Sequence, residues 1–260
     1  MNRHEIRGLA FYTFESLAAH PEVIHGVTTR HGGVSTGHWT SLNLTKGNGD
    51  RPAAVDENLH RTAAALDVPF EDLVSPNQQH TALTQQVRAA DRGKILQGVD
   101  ALHTNETGVP ILLRFADCTP ILLYDPGHHA FAVVHSGWRG TVGGIVRRAV
   151  DAMAAAYDTR PNQIIACIGP CIGPCCYEVG DEVTDAVRQS FAEPDGLLPR
   201  HGARDHFDLW AANLRWLRDA GVQQIEVAGI CTACHHDEFY SYRAGKGRTG
   251  HFGALMMLRE

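Results

Sequence analysis

The apolar positions along the chain keep two rhythms, continuous or alternating where strands belong and spaced by three to four where helices belong. Residues 23–29 form a short apolar run that ends in a glycine-containing loop at 30–37, and a second polar loop follows at 43–50. Val55, Leu59, Ala63 and Leu66 then share one helical face, with Pro52 in the first turn and Asp50 placed as the N-cap. Three apolar runs at 110–115, 121–124 and 130–134 are separated by Cys118-Thr119-Pro120 and by Asp125-Pro126-Gly127-His128. Links this short suit antiparallel neighbours and exclude parallel crossovers, so the pattern predicts a three-strand meander.

Downstream, Val142, Ile145, Ala149, Met153 and Ala156 predict a helix over 141–157. Strands are predicted at 163–168, 224–230 and 252–258, and helices at 181–191 and 209–220, the last stopped by Gly221. Antiparallel pairing with helices interspersed indicates an α+β layered fold. No repeat, linker or low-complexity tract divides the sequence, so 1–260 reads as one domain.

Composition narrows the function. The chain carries 29 acidic against 23 basic residues, a formal charge of -6 with no Lys/Arg stripe, which argues against nucleic acid as a partner. Its apolar stretches are far shorter than the ~20 residues that cross a bilayer. Residues 1–7 lead into no apolar signal core, which points to the cytoplasm. There, seven cysteines are expected as thiols, ligands or nucleophiles rather than as a disulfide framework.

The predicted meander brings Cys118, at the end of its first strand, and His135, at the end of its third, to one sheet edge. A thiol and an imidazole so placed suit three readings: half of a zinc site, a Cys–His nucleophilic pair, or a buried cysteine beside a hydrogen-bonded histidine.

The wording around these residues is distinctive: Gln79-His80, Ala116-Asp117-Cys118-Thr119-Pro120, His135-Ser136-Gly137-Trp138-Arg139-Gly140, Ile168-Gly169-Pro170-Cys171-Ile172-Gly173-Pro174 and Cys231-Thr232. Phe239-Tyr240-Ser241-Tyr242-Arg243, Thr28-Thr29-Arg30-His31-Gly32-Gly33 and Ser41-Leu42-Asn43-Leu44 complete the set. Together, from about Gly26 to the C-terminus, they resemble the laccase-domain family, also called the multicopper polyphenol oxidase or purine nucleoside phosphorylase family.

The resemblance implies an α/β/β/α sandwich and a zinc ion held by His80, Cys118 and His135. Two neighbours differ from the family wording, because this chain reads Gln78-Gln79-His80-Thr81 and has Ser136 after His135. Three ligands leave a fourth tetrahedral position open, the arrangement of a catalytic site. The implied reactions are phosphorolysis of adenosine, inosine, guanosine and methylthioadenosine, and deamination of adenosine by an activated water. Asp117 is then the expected proton-transfer carboxylate, its other role being to cap the turn at Thr119. Arg139, leading into a helix expected at Thr141, is the expected phosphate ligand, and Arg30 and Asn43 are expected to add phosphate or ribose contacts. Each of these three also suits a solvated surface.

Two further readings stand beside this one: a metal-free Cys118–His135 hydrolase acting on a cell-wall precursor, since the family is also linked to peptidoglycan editing, and a non-catalytic metal- or partner-binding module. Copper oxidase chemistry finds little support, because no two of the 16 histidines are separated by one residue, although an open His2Cys site can take copper. Cys231-Thr232-Ala233-Cys234-His235 has the form of a c-type haem attachment site, which an absent export signal argues against. Cys167, Cys171, Cys175 and Cys176 could join Cys231 and Cys234 in a second zinc or an iron–sulfur centre, but three-residue gaps through Gly-Pro turns are poor ligand geometry, and packing as small hydrophobes is the expectation. His128-His129 reads as a turn, and Gly245 to Gly250 lacks the spacing of a phosphate loop.

Overall fold

The computed structural model describes residues 1–259 and contains two sheets laid face to face. The first has five strands in the order Asn2–Ile6, Leu9–Thr13, Val23–Thr28, Phe252–Leu258, Ile111–Phe115. The second has six, in the order Gln224–Val227, Ile165–Ile168, Thr119–Asp125, Ala130–Ser136, Ala101–Thr104, Thr84–Gln86. All pairs are antiparallel except the outermost pair at each edge of the six-stranded sheet.

The central strands read as unbroken apolar runs because both of their faces are covered. Leu122, Tyr124, Phe131 and Val133 point inward, against Phe115, Ala254 and Met256 of the opposite sheet. The alternate residues Ile121, Leu123, Ala132 and Val134 point outward, against the helices Ile145–Tyr157 and Leu209–Asp219. On the far side, Leu112, Leu255 and Met257 meet Val55, Leu59 and Ala63 of the helix Pro52–Ala65. The layering is therefore α/β/β/α, as the resemblance implies. No helix among the described residues is long and apolar enough to cross a membrane.

Three sequence expectations are corrected. The meander does not form: Ile111–Phe115 pairs with Phe252–Leu258 in one sheet, while Thr119–Asp125 pairs with Ala130–Ser136 in the other. A short link serves a corner between sheets as well as a hairpin, and Asp117, at φ 87°, turns the chain there. Asp50 does not cap the helix, whose N-cap is Arg51. Its carboxylate instead accepts from the Ser35 hydroxyl at 2.6 Å and the Asn43 amide at 2.9 Å. The helix expected over 141–157 is two, Trp138–Val142 and Ile145–Tyr157, parted where Gly144 takes φ 69°. The N-terminal hairpin carries no signal in the sequence because its first strand is exposed at every residue.

Candidate metal centre

Where the chain crosses between sheets, the hairpin register sets Thr119 opposite Ser136 and Pro120 opposite His135. Cys118 thus stands beside His135 through a two-strand hairpin rather than a meander. A third donor comes from a separate loop, where His80 takes φ 59° and brings Nε2 to 3.7 Å from the Cys118 sulfur. The His80 and His135 rings meet edge to face at 5.0 Å, and the three donor atoms lie within 4.8 Å of one another. Two imidazoles and a thiolate that close together match the donor preferences of zinc and, with weaker selectivity, copper. A Cβ on Gly137 would come within 2.9 Å of both the Cys118 sulfur and His80 Cδ2, so the chain passes the donors only as glycine.

Asp100 organises the cluster. Fully buried, it accepts from His135 Nδ1 at 2.8 Å, which turns Nε2 of that ring toward the sulfur. The same carboxylate accepts the amides of Gln79 at 3.1 Å, His80 at 3.0 Å and Thr81 at 2.7 Å, and the Thr81 hydroxyl at 2.8 Å. Burial would raise its pKa, but these donors, His135 foremost, outweigh burial and hold it well below the usual carboxylate range. Burial likewise opposes the thiolate of Cys118, yet His135 and His80 bring the thiol below its ordinary value, and the Cys118 charge and Asp100 raise His135 in return.

The donors lie in a cleft of about 1040 Å³ whose walls include Arg114, Arg139, Arg243, Tyr177 and His251. Arg114 donates Nε to the Leu44 carbonyl at 2.6 Å, and Arg243 donates to the carbonyls of Cys176 at 3.2 Å and Glu178 at 2.9 Å. Each guanidinium keeps further N–H donors beyond these. His251 is driven by burial to a pKa of about 4, and its buried Nδ1 has no hydrogen-bond partner among the described residues.

A family model described as "Multi-copper polyphenol oxidoreductase laccase" matches residues 24–259. The chain belongs to this family. A purine nucleoside phosphorylase from Bacteroides thetaiotaomicron is 39% identical over 95% of this chain and 96% of its own length. A protein named adenosine deaminase RL5, from an unknown prokaryotic organism, is 35% identical over 81% of this chain and 86% of its own. The crystal structure of YlmD from Geobacillus stearothermophilus superposes with a TM-score of 0.93, at 36% identity over 99% of this chain and 98% of that one.

Within this laccase-type fold the residues expected from sequence separate into two groups. His80, Cys118, His135 and Arg139 line the cleft, whereas Arg30 and Asn43 do not. Arg30 lies over the Tyr240 ring and donates to the carbonyls of Thr40 and His236. Asn43 is fully buried and ties its loop together through Thr45, Asp50 and the His251 amide. Arg139 reaches the cleft, but the helix that carries it starts at Trp138 and has five residues, too short for the anion-binding terminus expected at Thr141. Its guanidinium packs over Trp138 and pairs with exposed Glu182 at 3.1 Å.

Asp117 also borders the cleft, yet both carboxylate oxygens are engaged, one by the Thr232 hydroxyl and one by the Arg243 amide, each at 2.7 Å. These contacts favour a bracing role over proton transfer. Sequence reasoning missed Asp100, Arg114 and His251. For Asp100 a signal existed, because a ligating histidine needs an acceptor for its other ring nitrogen. A lone acid before an apolar strand does not reveal itself as that acceptor.

Proposed function

We propose that the chain is a metal-dependent enzyme of purine nucleosides, phosphorolysing adenosine, inosine, guanosine or methylthioadenosine and deaminating adenosine. The observation that carries this reading is the convergence of His80, Cys118 and His135 on the wall of a cleft that also presents three arginines. The relatives named for purine nucleoside phosphorolysis and adenosine deamination support the choice of substrate. We take residues 1–260 as one domain and the cytoplasm as its site of action, where the seven free thiols would persist.

Zinc is the ion we assign to His80, Cys118 and His135, with copper as the alternative. When bound it supplies a Lewis acid at the cleft wall. The protein's share is positional. Asp100 fixes the face His135 presents, and Gly137 leaves the donors room. In phosphorolysis a phosphate oxygen attacks ribose C1′ while the C1′–N9 bond breaks and the purine leaves with the bonding pair. The guanidinium groups of Arg114, Arg139 and Arg243 provide the positive field in which that anion is held. His251, held neutral by burial, lines the same cleft and adds no charge to that field.

The test is direct. Protein incubated with inosine and phosphate should yield hypoxanthine and ribose-1-phosphate, and with adenosine should also release ammonia. Metal-replete protein that forms none of these overturns the reading. A second reading, a Cys–His hydrolase acting on a cell-wall precursor, draws on the Cys118–His135–Asp100 alignment, which has the order of a nucleophile, base and orienting acid. Such a triad has no use for a second imidazole at 3.7 Å from the sulfur, which favours the metal site. Full activity in chelator-stripped protein would reverse that preference.

A further inference from the structure

The four cysteines Cys175, Cys176, Cys231 and Cys234 converge on one point outside the cleft, with every pair of sulfurs within 4.8 Å. Cys234 Sγ lies 3.5 Å from that of Cys175 and 3.4 Å from that of Cys176. The expectation that Gly-Pro turns make poor ligand geometry fails because the donors come from two separate turns; Cys167 is buried between the sheets, and Cys171, whose backbone bridges Cys231, gives its own thiol to the Ile172 carbonyl. A bridge between Cys171 and Cys231, with the Thr232 amide donating to the Cys171 carbonyl at 3.0 Å, aligns the two segments. In one turn the amides of Cys176 and Tyr177 both donate to the Gly173 carbonyl, which curls the adjacent cysteines toward the same side. In the other, the His235 amide donates to the Cys231 carbonyl, so Cys231 and Cys234 face one way.

We propose that Cys175, Cys176, Cys231 and Cys234 form a second metal site, a closed tetrathiolate that binds one zinc ion in a structural role. Four sulfurs at about 2.3 Å from a central ion stand roughly 3.8 Å apart, close to the spacing here. An iron–sulfur cluster needs cysteines spread around a cage, and these are too tightly gathered for one. Two disulfides would divide the sulfurs into two pairs, whereas Cys234 is nearly equidistant from two partners. The Gly173 amide donates to the Cys231 sulfur at 3.2 Å, a contact that stabilises a thiolate ligand. A Cβ on Gly173 would stand 3.2 Å from the Cys231 Cβ and collide with the Trp210 ring at 2.8 Å, so glycine lets the two turns approach closely under that ring. The ion would staple the segment bearing Tyr177, and the Cys176 carbonyl that receives Arg243, to the segment at 231–235.

Elemental analysis of protein purified without added metal or chelator should find two zinc ions per chain. Cys175→Ser with Cys234→Ser should retain one and Cys118→Ala should retain the other. Because the double variant can fail to fold, the decisive measurement uses Cys118→Ala stripped of metal and titrated with cobalt. With the thiolate donor of the cleft gone, one equivalent should still produce the intense near-ultraviolet sulfur-to-cobalt charge-transfer absorption of a tetrathiolate. Absence of that absorption, a full equivalent of iron in place of zinc, or a non-reducing denatured mass lower by two hydrogens per bond in the fresh protein each overturns the proposal. The result is independent of whether the cleft turns over nucleosides.

Discussion

The Asp100 carboxylate meets the His135 imidazole at 2.8 Å through Oδ1 and Nδ1, and neither group reaches solvent to any useful degree. The same oxygen takes the His80 amide at 3.0 Å, so one acid fixes a histidine on a strand and a histidine on a loop. That coupling explains how two elements distant in sequence present their rings to a single sulfur.

Replacing Asp100 by Asn keeps the size and one acceptor but removes the charge that complements His135 and the loop amides. Zinc at the cleft should bind about 10- to 100-fold more weakly, as when other outer-shell partners of ligating histidines are lost. Competition with a chromophoric chelator measures this. Unchanged affinity would show that the histidines hold their orientation without Asp100.

Gly137→Ala tests how closely the chain passes the donors. A methyl group 2.9 Å from both the Cys118 sulfur and His80 Cδ2 must displace one of them. The variant should remain folded by circular dichroism, lose the cleft zinc ion and lose activity together. Gly180→Ala, with no atom within 4 Å of the added carbon, should change neither and serves as the control.

Much of the fold is visible in the sequence because burial on both faces writes long apolar runs at 111–115, 119–125 and 252–258. Which sheet each run joins is not visible, since a three-residue link can close a hairpin or turn a corner, and here it turns a corner at Asp117. Cys118 and His135 are still found together because the second hairpin alone aligns them. His80 emerges only from the family wording. Arg30 and Asn43 look like ligand-binding residues, as polar side chains in polar loops do, but the fold leaves both outside the lining of the cleft and bonds them to neighbouring loop backbone. The four-cysteine cluster is invisible to spacing arguments because two short turns, 55 or more residues apart, each supply half of it.

Asp117→Asn separates bracing from proton transfer. The carboxylate joins the corner to two distant segments through Thr232 and the Arg243 amide, and weakening these charge-assisted bonds should cost about 1–3 kcal/mol of stability. Urea unfolding should register that loss. The pH profile of kcat should keep its shape. A profile that loses one limb while stability stays at the parent value would instead make Asp117 a proton-transfer residue.

Stability should fall as the medium is acidified below pH 6.5, and two histidines far from the cleft should account for much of the slope. His25 accepts the Phe14 amide on Nε2 at 2.9 Å, and His103 meets the Tyr157 hydroxyl at 2.9 Å. Both are buried, and burial pushes each pKa down to about 4. Between pH 6.5 and 4 the unfolded chain therefore binds protons at these positions that the folded chain refuses, so acid favours unfolding. From pH 6.5 to 5 the difference amounts to about 1.5 kcal/mol for each histidine and about 3 kcal/mol for the pair. Groups such as Asp100, whose folded pKa is depressed below the carboxylate range, lose their contribution only at lower pH and do not confuse this window. Urea unfolding of the parent and of a His25→Gln, His103→Gln variant at pH 6.5 and 5 isolates the effect. The variant starts less stable, since it forfeits two packed rings, but should show the shallower dependence on pH. Parallel slopes would mean that the two histidines are protonated in the folded protein.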